Sequence, residues 1–127
     1  MMDLDDFKQL NDTYGHLAGS FVLREVGALI RANLRPFDVA SRYGGEEFVA
    51  YLPETDAAEA MTAAERLRRV QAEKVFLHQE RAIRITISMG ISHFPADGTL
   101  LEALVQAADE RLYAAKRTGK NRVVGVP

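Results

Sequence analysis

The segment Arg42-Tyr43-Gly44-Gly45-Glu46-Glu47-Phe48 constrains this chain more than any other. It lies between two short runs with strand character, Val39 to Tyr43 and Phe48 to Leu52. Glycine reaches positive φ without steric cost, so a Gly-Gly pair between such runs predicts a tight hairpin. Alone, Glu46 and Glu47 beside that turn read as solvated carboxylates. A second acidic cluster, Asp3-Leu4-Asp5-Asp6, follows a short apolar start. Two acidic clusters at strand ends can meet across one sheet edge and hold hard divalent cations.

Hydrophobic periodicity supplies the frame around these clusters. Val22, Val26, Leu29, Ile30 and Leu34 predict an amphipathic helix over 18–34, stopped near Leu34 by the approach of Pro36. Pro53 closes the second hairpin strand. Ala57, Ala60, Met61, Ala64, Leu67 and Val70 mark a second long helix. Ile83, Ile85, Ile87, Met89 and Ile91 alternate with Arg84, Thr86, Ser88, Gly90 and Ser92 and predict the clearest strand in the chain. A third helix follows Leu101, Leu104, Val105, Ala108, Leu112 and Ala115, with Thr99 as its expected N-cap and Gly119 as its stop. Residues 121–126 predict a last edge strand. Helices that alternate with strands must cover a shared sheet. The expected fold is therefore α+β, a ferredoxin-like βαββαβ sandwich with additions, its mostly antiparallel central sheet covered by helices.

The 127 residues suit one domain, and an apolar fraction of 47% suffices for a single core. With no cysteine there is neither a disulfide framework nor a thiolate metal site. A net charge of −2, with basic residues scattered, argues against a general nucleic-acid binder. No apolar run reaches a membrane span and no signal peptide is evident, so the expectation is a cytoplasmic protein or the cytoplasmic end of a larger one, without direct membrane insertion.

Taken in order, the motifs resemble one family. Asp3-Leu4-Asp5-Asp6-Phe7-Lys8, Asn11-Asp12, Gly15-His16, Gly19, Gly44-Gly45-Glu46-Glu47-Phe48, Thr86-Ile87-Ser88-Met89-Gly90, Ala108-Asp109, Tyr113, Ala115-Lys116 and Gly119-Lys120-Asn121 are similar to the signatures of GGDEF domains. These are diguanylate cyclases, which join two GTP molecules into cyclic di-GMP with release of pyrophosphate. The resemblance covers nearly the whole of 1–127 as a single domain, with glutamate at the third signature position. It implies that Asp3, Glu46 and the carbonyl of Leu4 bind Mg²⁺, with Mn²⁺ as the alternative ion. It implies catalytic roles for Glu46 and Glu47, the latter as metal support or as acceptor of the attacking hydroxyl's proton. Amides around Asp6, Phe7 and Lys8 would cradle the outer phosphates at a helix start, where free N–H groups favour an anion. Lys116 and Lys120 would add positive charge, and Asn11 would contact guanine. His16 is expected to be a structural hydrogen-bonding residue. Catalysis implies a second GGDEF domain facing the first, as a transient or ligand-bridged dimer.

Two positions depart from the family pattern. Ser20 stands where an aspartate usually accepts hydrogen bonds from guanine, which is expected to weaken GTP binding and blur discrimination against ATP. The family's usual N-terminal helix and the start of its first strand would precede Met1. Arg35-Pro36-Phe37-Asp38, separated from Gly44 by five residues, resembles the family's inhibitory site, which binds cyclic di-GMP; Arg66 matches a secondary contact there. The leading expectation is a product-inhibited diguanylate cyclase, and the alternative is a weakly active or inactive cyclic di-GMP receptor. A ferredoxin-like RNA-binding module would require exposed aromatics and a basic face.

Overall fold

The computed structural model describes residues 1–125. Its elements are β1 (Met2–Leu4), α1 (Phe7–Tyr14), α2 (His16–Ala32), β2 (Val39–Gly44), β3 (Glu47–Tyr51), α3 (Ala57–Glu73), β4 (Phe76–His78), β5 (Arg81–Ile83), β6 (Ile87–Gly90), α4 (Leu101–Arg117) and β7 (Val123–Val124). The main sheet runs β2-β3-β1-β6-β7, and β4 pairs with β5 in a separate hairpin. β1 is antiparallel to both β3 and β6, while β6 and β7 are parallel. The series β1-α2-β2-β3-α3-β6 is the expected ferredoxin-like unit; α1, the β4–β5 hairpin, α4 and β7 are the additions.

The sheet separates two apolar layers. On one face Met2, Leu4, Phe48 and Met89 join Val22, Val26 and Ile30 of α2 and Leu67 of α3 in the main core. On the other face Met1 meets Ala108 and Leu112 of α4, with Val49 and Val105 packed against them. β1 has only three residues, and β3 continues beyond its partner Met2. An apolar cleft of about 570 Å³ extends past Met1, lined by Val49 and Tyr51 on one wall and Ile91 and Leu104 on the other.

Local chemistry moves several expected boundaries. α2 ends at Ala32, short of Leu34, because the Asn33 side chain donates to the Leu29 carbonyl at 2.8 Å and closes the last turn. α3 opens on a reciprocal capping box between Asp56 and Glu59. Thr99 is not the N-cap of α4; Leu100 holds that place without a side-chain cap. The last strand is confined to Val123–Val124, and the expected end at residue 126 lies outside the described residues.

The largest correction concerns the alternating run from Ile83 to Ile91. It is not one strand: Ile83 ends the β4–β5 hairpin, and the main sheet resumes only at Ile87. Between them the Ile85 carbonyl accepts from Gln71 Nε2 of α3 at 3.1 Å, so a buried side chain replaces the ladder there. Ile83, Ile85 and Ile87 are nevertheless all buried, which preserves the alternation across the break. Ser88 is fully buried, and a Cβ on Gly90 would overlap the backbone of Ala108 and Leu112 in α4.

Gly90 therefore sets how closely α4 approaches the sheet. Gly90→Ala is expected to destabilise the fold by about 3 kcal/mol, because the neighbours it meets are helix backbone that cannot rotate away. Urea melts of the two chains check this, and coincident midpoints would contradict it.

Candidate active site

The two acidic clusters meet as the hairpin suggests, at the ends of central strands. Asp3 of β1 lies opposite Glu47 of β3 and opposite Ser88 of β6. Directly opposed residues project to one face, here the face that carries α4. Lys116, from the last turn of α4, donates to Asp3 Oδ1 at 2.9 Å, to the Leu4 carbonyl at 3.0 Å and to Asp5 Oδ1 at 2.7 Å. Glu46 sits in the hairpin turn, and its carbonyl accepts from the Leu4 N–H at 3.2 Å. The Glu47 carboxyl is pushed above the usual range by burial first, then by the charges of Asp3, Asp109 and Glu46 and a hydrogen bond with Asp3. A group of acids that raise one another's proton affinity attracts a proton or a cation.

Among the described residues, no three carboxylates or imidazoles are gathered tightly enough to enclose a metal. Two hard oxygen donors do converge, since Asp3 Oδ1 and the Leu4 carbonyl both face the Lys116 ammonium. Those oxygens, with the Glu46 backbone next to Leu4, are of the hard type a divalent cation takes.

Asp5 is the residue that the sequence reading passed over. It is buried and accepts four hydrogen bonds: from Lys116 Nζ, Thr86 Oγ1 and Ser88 Oγ at 2.7 Å each, and from the Asn121 N–H at 3.0 Å. Burial alone would raise its carboxyl, but the bonds from Lys116, Thr86, Ser88 and Asn121 outweigh it and hold Asp5 below the ordinary range. The hydroxyls of Thr86 and Ser88, in the alternating run of the sequence, are its partners.

The expected anion cradle adjoins this knot. Asp6 adopts a left-handed conformation (φ 57°) immediately before α1, with no side-chain cap. The amides of Asp6, Phe7 and Lys8 have no acceptor among the described residues, and Lys8 is exposed. Lys120 reaches Asp6 Oδ1 at 2.6 Å, which brings its ammonium to the same helix start. Lys116 and Lys120 thus converge from α4 and the loop after it.

Asn11 of α1 places its side-chain oxygen against Gly19 of α2, where any Cβ would overlap it. The next residue, Ser20, is exposed and opens onto a pocket of about 410 Å³ between α2 and the β2–β3 hairpin. His16 is exposed at the start of α2 and makes no side-chain hydrogen bond among the described residues, contrary to its expected structural role.

A second arrangement lies at the entrance to β2. Arg35 donates through Nε and a terminal nitrogen to both Asp38 oxygens at 3.0–3.3 Å, and to the Pro53 carbonyl at 3.2 Å; Thr55 Oγ1 is a further partner. Its guanidinium also stacks 4.6 Å above the Phe37 ring. These hydrogen bonds from Arg35 keep the Asp38 carboxyl below the usual range. Arg66 of α3 donates to the Asn33 carbonyl at 2.9 Å, just ahead of this loop.

The sequence model described as "Diguanylate cyclase, GGDEF domain" matches residues 1–122. The chain belongs to the GGDEF family. It is 46% identical over 123 residues to Diguanylate cyclase A of Treponema denticola, covering 97% of this chain and 33% of that protein. It is 43% identical over 127 residues to the response regulator PleD of Caulobacter vibrioides, covering 98% of this chain and 28% of that protein. The domain thus spans a third or less of the length of these curated relatives. Among solved structures it resembles the GGDEF domain of DgcB from Caulobacter crescentus in complex with c-di-GMP, with TM-score 0.89, 34% identity and coverage of 98% and 74% of the two chains. It also resembles the active GGEEF domain of a diguanylate cyclase from Vibrio cholerae, with TM-score 0.86, 31% identity and coverage of 99% and 80%. The α+β fold of this GGDEF domain is shared with these structures. No helix among its described residues is long and apolar enough to cross a membrane.

Removing the Asp5 charge should cost the domain about 3 kcal/mol at neutral pH, since Asp5→Asn leaves Lys116 without its most buried partner. The lowered carboxyl fixes the direction of the pH effect. Its contribution is fully present above the unfolded value, about 4, and is lost as pH falls through the folded one. Denaturant melts of both chains at pH 7 and pH 3 should show the gap narrowing in acid. A gap that is constant with pH would exclude this origin.

Proposed function

We propose that this GGDEF domain condenses two GTP molecules into cyclic di-GMP, each domain presenting one GTP to a second domain that faces it. The observation that carries this reading is the opposition of Asp3 and Glu47 across β1 and β3, beside Lys116 and the free amides that open α1. The 3′-oxygen of one GTP attacks the α-phosphorus of the other, and the bond to the departing pyrophosphate breaks. The amides of Asp6, Phe7 and Lys8, together with Lys120, bind the outer phosphates. Lys116 balances the acidic cluster and adds charge on the phosphate side. Glu47, whose proton affinity is already raised, accepts the proton of the attacking hydroxyl. A magnesium ion held by Asp3, Glu46 and the Leu4 carbonyl would draw off the charge that grows on the phosphoryl oxygens. Asn11 and Ser20 face the base.

Arg35 and Asp38 form the product-binding site in this reading, with Arg66 as a further cation. The guanidinium takes a guanine edge or a phosphate, and Asp38 accepts from guanine N–H groups. The specific support is that Arg35 is already held in place by Asp38, Pro53 and Thr55. The same feature favours the second reading, a cyclic di-GMP receptor with little synthesis of its own.

Two measurements test these assignments. Glu47→Gln should abolish cyclic di-GMP synthesis from GTP and Mg²⁺ while the thermal melt stays within a few degrees of the parent; undiminished synthesis would remove Glu47 from the mechanism. Arg35→Ala should weaken cyclic di-GMP binding by about tenfold or more in calorimetry. An affinity equal to that of the parent would return Arg35 and Asp38 to a surface ion pair.

A further inference from the structure

The β4–β5 hairpin is an addition to the fold to which the proposed chemistry gives no part. Phe76 and Ile83, paired at its open end, are buried in the main core. Gln79 and Glu80 form its tip at φ 48° and 64°, the positive values that a two-residue type I′ turn requires. The turn sets His78 directly opposite Arg81, and directly opposed residues project to one face. On that face each meets a different helix. The His78 ring lies 5.0 Å from the Phe21 ring of α2. The Arg81 guanidinium stacks 4.4 Å above the Tyr14 ring of α1 and donates to the Thr13 carbonyl at 3.3 Å. Tyr14 and Phe21 are themselves packed against the main core.

The joint between those helices is one residue. Gly15, at φ 94° and ψ 162°, ends α1 and begins α2, and a Cβ there would meet nothing within 4 Å. Such a joint sets no angle by packing of its own, so the angle between the helices depends on what bridges them. Asn11 against Gly19 is one bridge, and the hairpin is a second. A carbonyl in the last turn of a helix lacks a partner within it, and a guanidinium there both satisfies it and suits the helix dipole. In the cyclase reading α1 carries the amides of Asp6, Phe7 and Lys8 for the outer phosphates and Asn11 for the base, while α2 carries Ser20. A change of angle at Gly15 therefore moves the two ends of the nucleotide site relative to one another.

We infer that Arg81 is a positioning residue for the nucleotide: through Tyr14 and Thr13 it holds α1 at the angle to α2 at which the phosphate and base contacts match one GTP. The inference rests on the GTP site of the cyclase reading and adds the hairpin to it. The same angle serves bound GTP and the transition state alike, so its loss weakens binding and leaves the turnover of bound nucleotide in place. Arg81 is exposed, and its removal leaves the core untouched.

The test compares the parent with Arg81→Met, Arg81→Lys, Tyr14→Leu and the double variant Arg81→Met/Tyr14→Leu, each first shown by melting to be folded. Arg81→Met should raise KM and the calorimetric Kd for GTP with Mg²⁺ about fivefold, with kcat within about twofold and cyclic di-GMP affinity unchanged. Arg81→Lys keeps a cation over the ring and should recover most of the loss. The double variant should bind GTP no more weakly than Arg81→Met, because the two residues act as one contact. Unchanged GTP affinity in Arg81→Met, a matching loss of kcat and of cyclic di-GMP affinity, or additive losses in the double variant would each overturn the inference and leave the cyclase reading intact. GTP affinities that follow the expected series in a chain that makes no cyclic di-GMP would support the role of Arg81 and overturn the cyclase reading. A parent chain that binds no GTP would overturn both.

Discussion

The buried carboxylate of Asp5 is the interaction on which the rest of the site depends. It joins four pieces of chain at one point: the end of β1, the start of β6, the last turn of α4 and the loop that leads into β7. A buried ion pair is a weak source of net stability, because desolvation offsets most of the attraction. Its value here is geometric. With Asp5 in place, Lys116 has one position that satisfies it, and that position lies against Asp3 and the Leu4 carbonyl. The acidic pair Asp3 and Glu47 therefore acquires a fixed cation beside it before any ligand arrives.

The sheet makes the remaining alignment automatic. Antiparallel pairing on both sides of β1 sends Asp3, Glu47 and Ser88 to one face, and the small residues of α4 let that helix lie close over them. Gly90 limits the approach from the sheet side. The backbone thus decides the lateral spacing of the charges, and side-chain chemistry decides which of them carries a proton. Glu47 and Asp5 share a neighbourhood yet shift in opposite directions, because Asp5 is surrounded by donors and Glu47 by other acids.

Most of this architecture was legible in the sequence. The hairpin, the three long helices and the meeting of the acidic clusters follow from Gly-Gly placement and hydrophobic spacing. What escaped has a common cause: period-2 alternation reports burial, not pairing. Ile83, Ile85 and Ile87 keep their rhythm although the chain leaves one sheet and enters another between them, with Gln71 supplying the missing partner. Alternation likewise cannot tell solvent from a second covering layer, and here α4 lies over Ser88 and Gly90. The Thr99 cap failed differently: a suitable residue stood near the helix start, but the chain enters α4 through Leu100.

The contact between Lys116 and Asp5 spans 111 positions along the chain. Such a link closes a very long loop, and its entropy must be offset by packing that already holds β1, β6 and α4 together. The link is accordingly a tertiary contact and not one that local structure alone can form. Loosening the segment from α4 to β7 removes the cation position, whereas the acidic pair is set by the pairing of β1 with β3. The arrangement is therefore a property of the assembled domain, since no one segment carries all of its groups.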